Sequence, residues 1–334
     1  MKETIAERID AVTKIDELRV KMGGIQPAPK SVKIELTARC NLRCKYCAVR
    51  TRTKSPKSDM DFYYFQKITE DIRISGVEEI GLFYLGESFM NPILLVDAVK
   101  WCKRLGFQWI FLTSNAVNAD SWTVRQCMDA GLDSLKWSVN GADLKQFQEI
   151  TGGSEAQFNH ALENIKSAWQ ERAKNGKFNT IISASSILYE GEQLRKMQKM
   201  LDENIRPFVD RHYWLPLYQM SMYKDKIEKE LGYTPTAGNM GRIDDDTMQP
   251  TRPPLPCWSL FTEGHVRVDG GLSACCFGAD ERFDMGVLDG TNFMRQWNNP
   301  KFVTLREAQL KTIKEGQDAL KDTICNVCVA YENE

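Results

Sequence analysis

From residue 32 to about residue 217, short apolar runs of β type alternate with segments whose apolar positions recur at helical spacing. The runs are Val32–Thr37, Glu79–Leu85, Trp109–Ser114, Ser134–Val139, Thr180–Leu188 and Arg211–Leu217. Between them the spacing predicts helices over Asp61–Ser75, Asn91–Leu105 and Asp120–Ala130, one or two across Asp143–Asn175, and one over Glu192–Glu203. Start and stop signals agree: Asn91 precedes Pro92 as an N-cap before a first-turn proline. Gly76, Gly106 and Gly131 follow helices where a left-handed residue is needed. Alternating strands and helices imply parallel strands joined by right-handed crossovers. Six such units predict an α/β fold, a partial (β/α)6 TIM-like barrel, with a doubly wound sheet as the alternative.

The flanks read differently. Residues 1–31 predict a short helix and then a Pro/Gly stretch, GGIQPAPK, too short for a separate recognition domain. The barrel would run over 32–223. Residues 224–256, with PTAGN, DDD and TRPPLP, predict a linker or wrapping loop. A small cysteine-bearing segment, 257–334, follows. Composition adds bounds. Lys plus Arg number 44 against 45 for Asp plus Glu, so charge gives no argument for a nucleic acid or membrane partner. MKETIAERID lacks the apolar core of a signal peptide, and no run reaches the roughly 18 apolar residues that cross a bilayer. A cytoplasmic protein is the expectation.

In that setting ten cysteines need an explanation, since cytosolic cysteines more often bind metal, react or fill core space than form disulfides. Seven fall in two groups at metal-ligand spacing; Cys102, Cys127 and Cys276 do not. The first group, Cys40, Cys44 and Cys47, is a C-x3-C-x2-C run directly after the first strand. Three thiolates on one tight loop can hold three corners of an iron–sulfur cubane and leave one iron open to bind a ligand. Zinc is the competing reading, but it prefers four ligands and no His or fourth Cys lies nearby.

That run, with the aromatic Tyr46 before the last cysteine, resembles the signature of the radical S-adenosylmethionine (SAM) superfamily. The resemblance implies that the open iron chelates the methionine end of SAM. An electron then breaks the sulfur–C5′ bond, giving a 5′-deoxyadenosyl radical that abstracts hydrogen from substrate. It also assigns roles to strand ends. Leu85-Gly86-Glu87 resembles the family's Gly-Gly-Glu turn toward the methionine amino group, with Leu85 in place of the first glycine. Ser114-Asn115 and Ser138 with Asn140 resemble the polar strand ends that meet the ribose and carboxylate. Ser, Asn and Gly are also ordinary turn formers, and a surface carboxylate is the plain alternative for Glu87.

The second group pairs Cys257 and Cys275, flanking a hairpin with its turn at Asp269-Gly270-Gly271, with the C-x2-C of Cys325 and Cys328. Spacing alone leaves zinc and a second iron–sulfur cluster open. Beside the first motif, the pattern resembles the family's SPASM auxiliary-cluster domain in its shortened form, Twitch, as in a radical SAM aminocyclitol dehydrogenase. One fully ligated auxiliary 4Fe–4S cluster on a small β-hairpin-plus-helix domain is then implied.

Of the remaining cysteines, Cys102 and Cys127 sit among apolar helical positions and read as core thiols. Cys276 points opposite to Cys275 on a strand; core filler is the plain reading, hydrogen donor to a substrate radical the sharper one. Arg50, Arg52, Lys54 and Lys57 follow the cluster loop, a solvated stretch, a docking face for a flavodoxin or ferredoxin-type reductant, or a holder for an anionic substrate. The expected activity is a radical SAM oxidoreductase that dehydrogenates a small polar molecule such as a sugar or cyclitol. Modification of a peptide or protein is the alternative, as is sugar epimerisation through Cys276.

Overall fold

The computed structural model describes residues 5–44, 47, 58–176, 178–216, 241–276 and 281–327. Two short helices, α1 (Ile5–Val12) and α2 (Glu17–Met22), precede the first strand, β1 (Ser31–Ile34). Five more strands then alternate with helices: α3 (Phe62–Ile74), β2 (Glu79–Gly81), α4 (Pro92–Arg104), β3 (Trp109–Ser114), α5 (Ser121–Asp129) and β4 (Ser134–Ser138). After these come α6 (Leu144–Thr151), α7 (Glu155–Asn175), β5 (Ile181–Ile187), α8 (Gly191–Asn204) and β6 (Arg211–Leu215). The helices start where side chains can accept the free first-turn amides. Asp61, Asn91, Asp120 and Asp143 each accept from the backbone three residues on, and Ser154 with Gln157 makes a capping box. Gly76, Gly106 and Gly131 take positive φ after α3, α4 and α5, as expected.

The chain continues with α9 (Ser259–Thr262), β7 (Glu263–Val266), β8 (Gly271–Ser273), β9 (Asp284–Val287), α10 (Phe293–Trp297) and α11 (Pro300–Glu315). All nine described strands form one open sheet in the order β6-β5-β4-β3-β2-β1-β7-β8-β9. β1 to β6 are parallel, and β7 pairs parallel to β1 with Val32 opposite Gly264. The predicted hairpin is present as β7 and β8, antiparallel with Val266 opposite Leu272. Through β7 it prolongs the barrel sheet past β1. β2 is shorter than the run that predicted it: the chain leaves the sheet after Leu82, whose amide still donates to Phe111, and turns toward Glu87.

A fully covered parallel sheet usually reads as continuous apolar runs, because both faces are buried in protein. Here the residues alternate. Val32, Ile34 and Leu36, Ile110 and Leu112, and Leu135 and Trp137 are buried on the face that packs against helices. Phe65, Ile68, Leu95, Val99 and Val124, with the thiols of Cys102 and Cys127, meet them from α3, α4 and α5. Both thiols are therefore core, as their helical setting predicts. The opposite, concave face carries Ser31 and Lys33, Ser134 and Lys136, and Glu263. α1 closes its floor: Arg8 pairs with Glu79 at 2.8 Å and stacks 3.9 Å over Trp109, at the first residues of β2 and β3. Among the described residues no helix is long and apolar enough to cross a membrane.

Candidate active site

At the carboxyl end of β1 the chain stays extended, and a second segment closes against it. Met60 N–H donates to Leu36 O at 2.8 Å, Ala38 N–H to Ser58 O at 3.0 Å, and Thr37 bridges Asp59. The Arg39 guanidinium holds Asp59 at 2.6 Å, and the Asn91 amide adds a 2.8 Å bond to the same carboxylate. The loop bearing Cys40, Cys44 and Cys47 is thus pinned at both ends, over the strand ends where parallel β/α folds bind ligands. All three cysteines are half-buried, and Cys47 N–H donates to Cys44 O at 3.0 Å. Burial pushes the Cys40 thiol up to about 12; the Leu42 amide opposes this, while Glu87 and Cys47 add to it. A metal bound there would draw off that proton, since a coordinating thiol is deprotonated outright.

Among the described residues no three Cys, His, Asp or Glu side chains converge closely enough to grip a single ion. A cubane spreads its thiolates over separate irons, so its ligands need not meet at one point. The donor set of three half-buried thiols on one pinned loop fits that group. Tyr46, Arg50, Arg52, Lys54 and Lys57 lie outside the described residues.

The turn after β2 presses against this loop. A Cβ on Gly86 would stand 1.8 Å from Thr37 O, so only glycine fits, and Glu87 N–H donates to Arg39 O at 2.9 Å. The Glu87 side chain is buried and accepts from Asn115 N–H at 2.9 Å, Phe89 N–H at 3.2 Å and Ser114 Oγ at 2.9 Å. Burial pushes its carboxyl up, and these bonds pull against that. Asn115 in turn donates through Nδ2 to Asn41 at 2.7 Å and to Cys40 Sγ at 3.9 Å. Residues predicted from three separate strand ends therefore meet: Cys40, Gly86, Glu87, Ser114 and Asn115. Asn140 lies on the β5 side, its Oδ1 accepting from Ile187 N–H at 3.1 Å and its carbonyl from Tyr189 at 2.8 Å. Ser138 is half-buried at the end of β4.

In the C-terminal segment Gln309 of α11 links two of the predicted ligands. Cys257 N–H donates to Gln309 Oε1 at 2.8 Å, and Gln309 also bonds the Cys325 side chain. Burial pushes the Cys325 thiol up to about 11, with Gln309 and Thr323 opposing. Cys275 and Cys276, expected on the return strand, lie just past it, since β8 ends at Ser273; the Cys275 carbonyl accepts from the Tyr84 hydroxyl at 2.6 Å. Tyr84 thus ties the turn bearing Glu87 to the second cysteine group. Cys328 lies outside the described residues. Neither Gln309 nor Tyr84 carries a motif; their contacts reach 52 and 191 residues along the chain.

Between the strand ends and α1 lies a cavity of about 210 Å³. Its lining includes Arg8, Lys33, Lys136, Glu79, Glu263 and Cys276. Lys33 pairs with Glu263 at 2.8 Å, and His265 Nε2 lies 3.0 Å from the same carboxylate. Burial alone would raise Glu263; Lys33 and His265 hold it down at about 2. Burial keeps His265 below its usual range, against the pull of Glu263. Lys136 has no carboxylate partner among the described residues; its ammonium stands 5.9 Å from the centre of the Tyr213 ring. Burial, with Lys33 nearby, brings it down to about 8, against the pull of Glu263.

The radical SAM superfamily matches residues 34–203, and the iron–sulfur cluster-binding domain SPASM matches 257–329. The first match spans half the chain, which therefore belongs to the radical SAM superfamily. SAM and two iron–sulfur clusters are the cofactors these two matches imply. Among relatives, the PqqA peptide cyclase of Methylorubrum populi is 30% identical over 131 residues, 39% of this chain but 33% of that protein. SuiB of Streptococcus suis, solved bound to S-adenosylmethionine, aligns with TM-score 0.60 and 14% identity over 87% of this chain and 70% of its own. BtrN, solved with AdoMet and 2-DOIA, aligns with TM-score 0.55 and 14% identity over 91% of this chain and 94% of its own. At these identities the structural likenesses show the fold.

Proposed function

We propose that this radical SAM enzyme oxidises a small polar substrate, a sugar or cyclitol, by two electrons at one carbon. The observation that carries the reading is the small cavity of about 210 Å³ beneath the Cys40–Glu87–Asn115 strand ends, whose largely apolar lining holds the charged groups of Arg8, Lys33, Lys136, Glu79 and Glu263. At about 30 Å³ per water it has room for roughly seven waters, the scale of a fragment rather than a folded peptide. When bound, SAM and the clusters supply the radical that takes a hydrogen atom and an acceptor for the electron left behind. The chain's own residues position the reactants. Glu87, held by Ser114 and Asn115, presents a fixed acceptor at the strand ends for the methionine ammonium. Cys40, Cys44, Cys47 and, in the second group, Cys257, Cys275, Cys325 and Cys328 would hold the two clusters.

Peptide modification is a second reading, favoured by the resemblance to the PqqA peptide cyclase. Epimerisation of a sugar is a variant favoured by Cys276, which lines the same cavity. The test is 5′-deoxyadenosine formation by anaerobic, reduced protein across a panel of sugars, cyclitols and peptides, with product mass. Loss of two mass units supports oxidation. Unchanged mass with deuterium uptake from heavy water, abolished in Cys276→Ala, would favour epimerisation. A response to peptides alone would replace both.

A further inference from the structure

We infer that Lys136 and Ser183 form a subsite for a carboxylate carried by the substrate, within the cavity under the SAM-binding strand ends. The inference rests on the reading of that cavity as the substrate site, and it narrows the substrate class to acids. Lys136 on β4 and Ser183 on β5 are register partners in adjacent parallel strands, so their side chains leave the same face of the sheet side by side. Both line the cavity. Ser183 is buried, and its hydroxyl has no hydrogen-bond partner among the described residues. A buried hydroxyl without a partner is costly unless something bound there satisfies it.

Charge selects the ligand. The cavity lining holds three cations, Arg8, Lys33 and Lys136, and two carboxylates, Glu79 and Glu263. Arg8 is paired with Glu79 and Lys33 with Glu263, each at 2.8 Å. Among the described residues Lys136 is left without an ion-pair partner, Glu263 acting on it only at longer range, and it stands beside a hydroxyl with no hydrogen-bond partner. One ammonium and one hydroxyl suit a monovalent, two-oxygen anion; a phosphate dianion would leave a charge unmatched. Position agrees. Lys136 stands two residues before Ser138, about 7 Å below the strand end assigned to SAM, so an acid held there lies deeper than the cofactor.

The experiment uses the anaerobic, cluster-loaded chain with SAM. Calorimetric titration compares D-glucuronate with D-glucose, and a tripeptide having a free C-terminus with its amide. The acid of at least one pair is expected to bind about tenfold or more tighter than its neutral counterpart. Lys136→Met should abolish that preference, Ser183→Ala should weaken it, and Lys136→Arg should retain part of it. Which pair responds identifies whether the carboxylate belongs to a small acid or to a peptide. If acid and neutral members bind alike or not at all, or if Lys136→Met keeps the preference, the subsite is refuted. Should Lys136→Met not fold, Ser183→Ala and Lys136→Arg decide the matter by the same comparison. An acid that binds through Lys136 but yields no oxidised product would overturn the oxidation reading and leave the subsite standing.

Discussion

Gly86→Ala tests how tightly the Glu87 turn is built against the cluster loop. The new methyl carbon would stand 1.8 Å from Thr37 O, 2.9 Å from Thr37 C and 3.0 Å from Arg39 O. Non-bonded heavy atoms rest at about 3.5 Å, so the turn must retreat by roughly 1.7 Å. All three atoms are backbone, in a segment held by the Thr37–Asp59 bridge and the Arg39–Asp59 ion pair, and none can swing aside. Overpacking of this kind costs about 1–3 kcal/mol, and losing the Glu87–Arg39 backbone bond adds about 1 kcal/mol. We expect Gly86→Ala to destabilise the cluster-free chain by about 3 kcal/mol in urea unfolding, and to weaken SAM binding once the clusters are loaded. Gly106→Ala is the control. Gly106 has φ +79° and no atom within 4 Å of its Cβ position, so that variant should lose only the left-handed strain, about 1–2 kcal/mol. Equal losses for the two variants would refute the close approach.

Two further outcomes follow from buried groups. His212, bonded to Ser186 at 3.0 Å, is held down at about 3 by burial, with Arg206 adding to the effect. The unfolded chain takes up that proton near pH 6.5 and the folded chain does not, so stability should fall as pH drops from 6.5 toward 3. In His212→Gln, the unfolding free energy from urea titration should decline less steeply over that window, by up to about 1.4 kcal/mol per pH unit; an unchanged slope would contradict the burial of a neutral ring. Gln309→Leu removes the side chain shared by Cys257 and Cys325. Iron content should fall from about eight toward about four per chain while SAM cleavage without substrate persists; full iron content would show that Gln309 does not organise the second site.

Local signals made most of the barrel legible. β3 matches its apolar run, Trp109–Ser114, end to end, and Asp61, Asn91 and Asp120 cap the helices they precede. The meeting of Glu87 with Ser114 and Asn115 could be expected because motifs at the ends of neighbouring parallel strands share one mouth. What escaped were partners distant in sequence. Nothing near β7 indicates that it will pair with β1, more than 200 residues earlier. The polar interior did leave a trace: Lys33 lies between Val32 and Ile34, and Lys136 between Leu135 and Trp137. Alternation of that kind is unusual for a parallel strand covered on both faces, and it marks the side that lines a cavity.

The central claim is that Cys40, Cys44 and Cys47 hold a cubane with one iron open to SAM. Mössbauer spectroscopy of anaerobic protein reconstituted with iron-57, recorded before and after adding SAM, tests it most directly. The account predicts that one iron site shifts on SAM addition. It also predicts that replacing the three cysteines with alanine removes both that response and about four irons per chain. A spectrum indifferent to SAM, or a triple variant that keeps its full iron and its response, would contradict it.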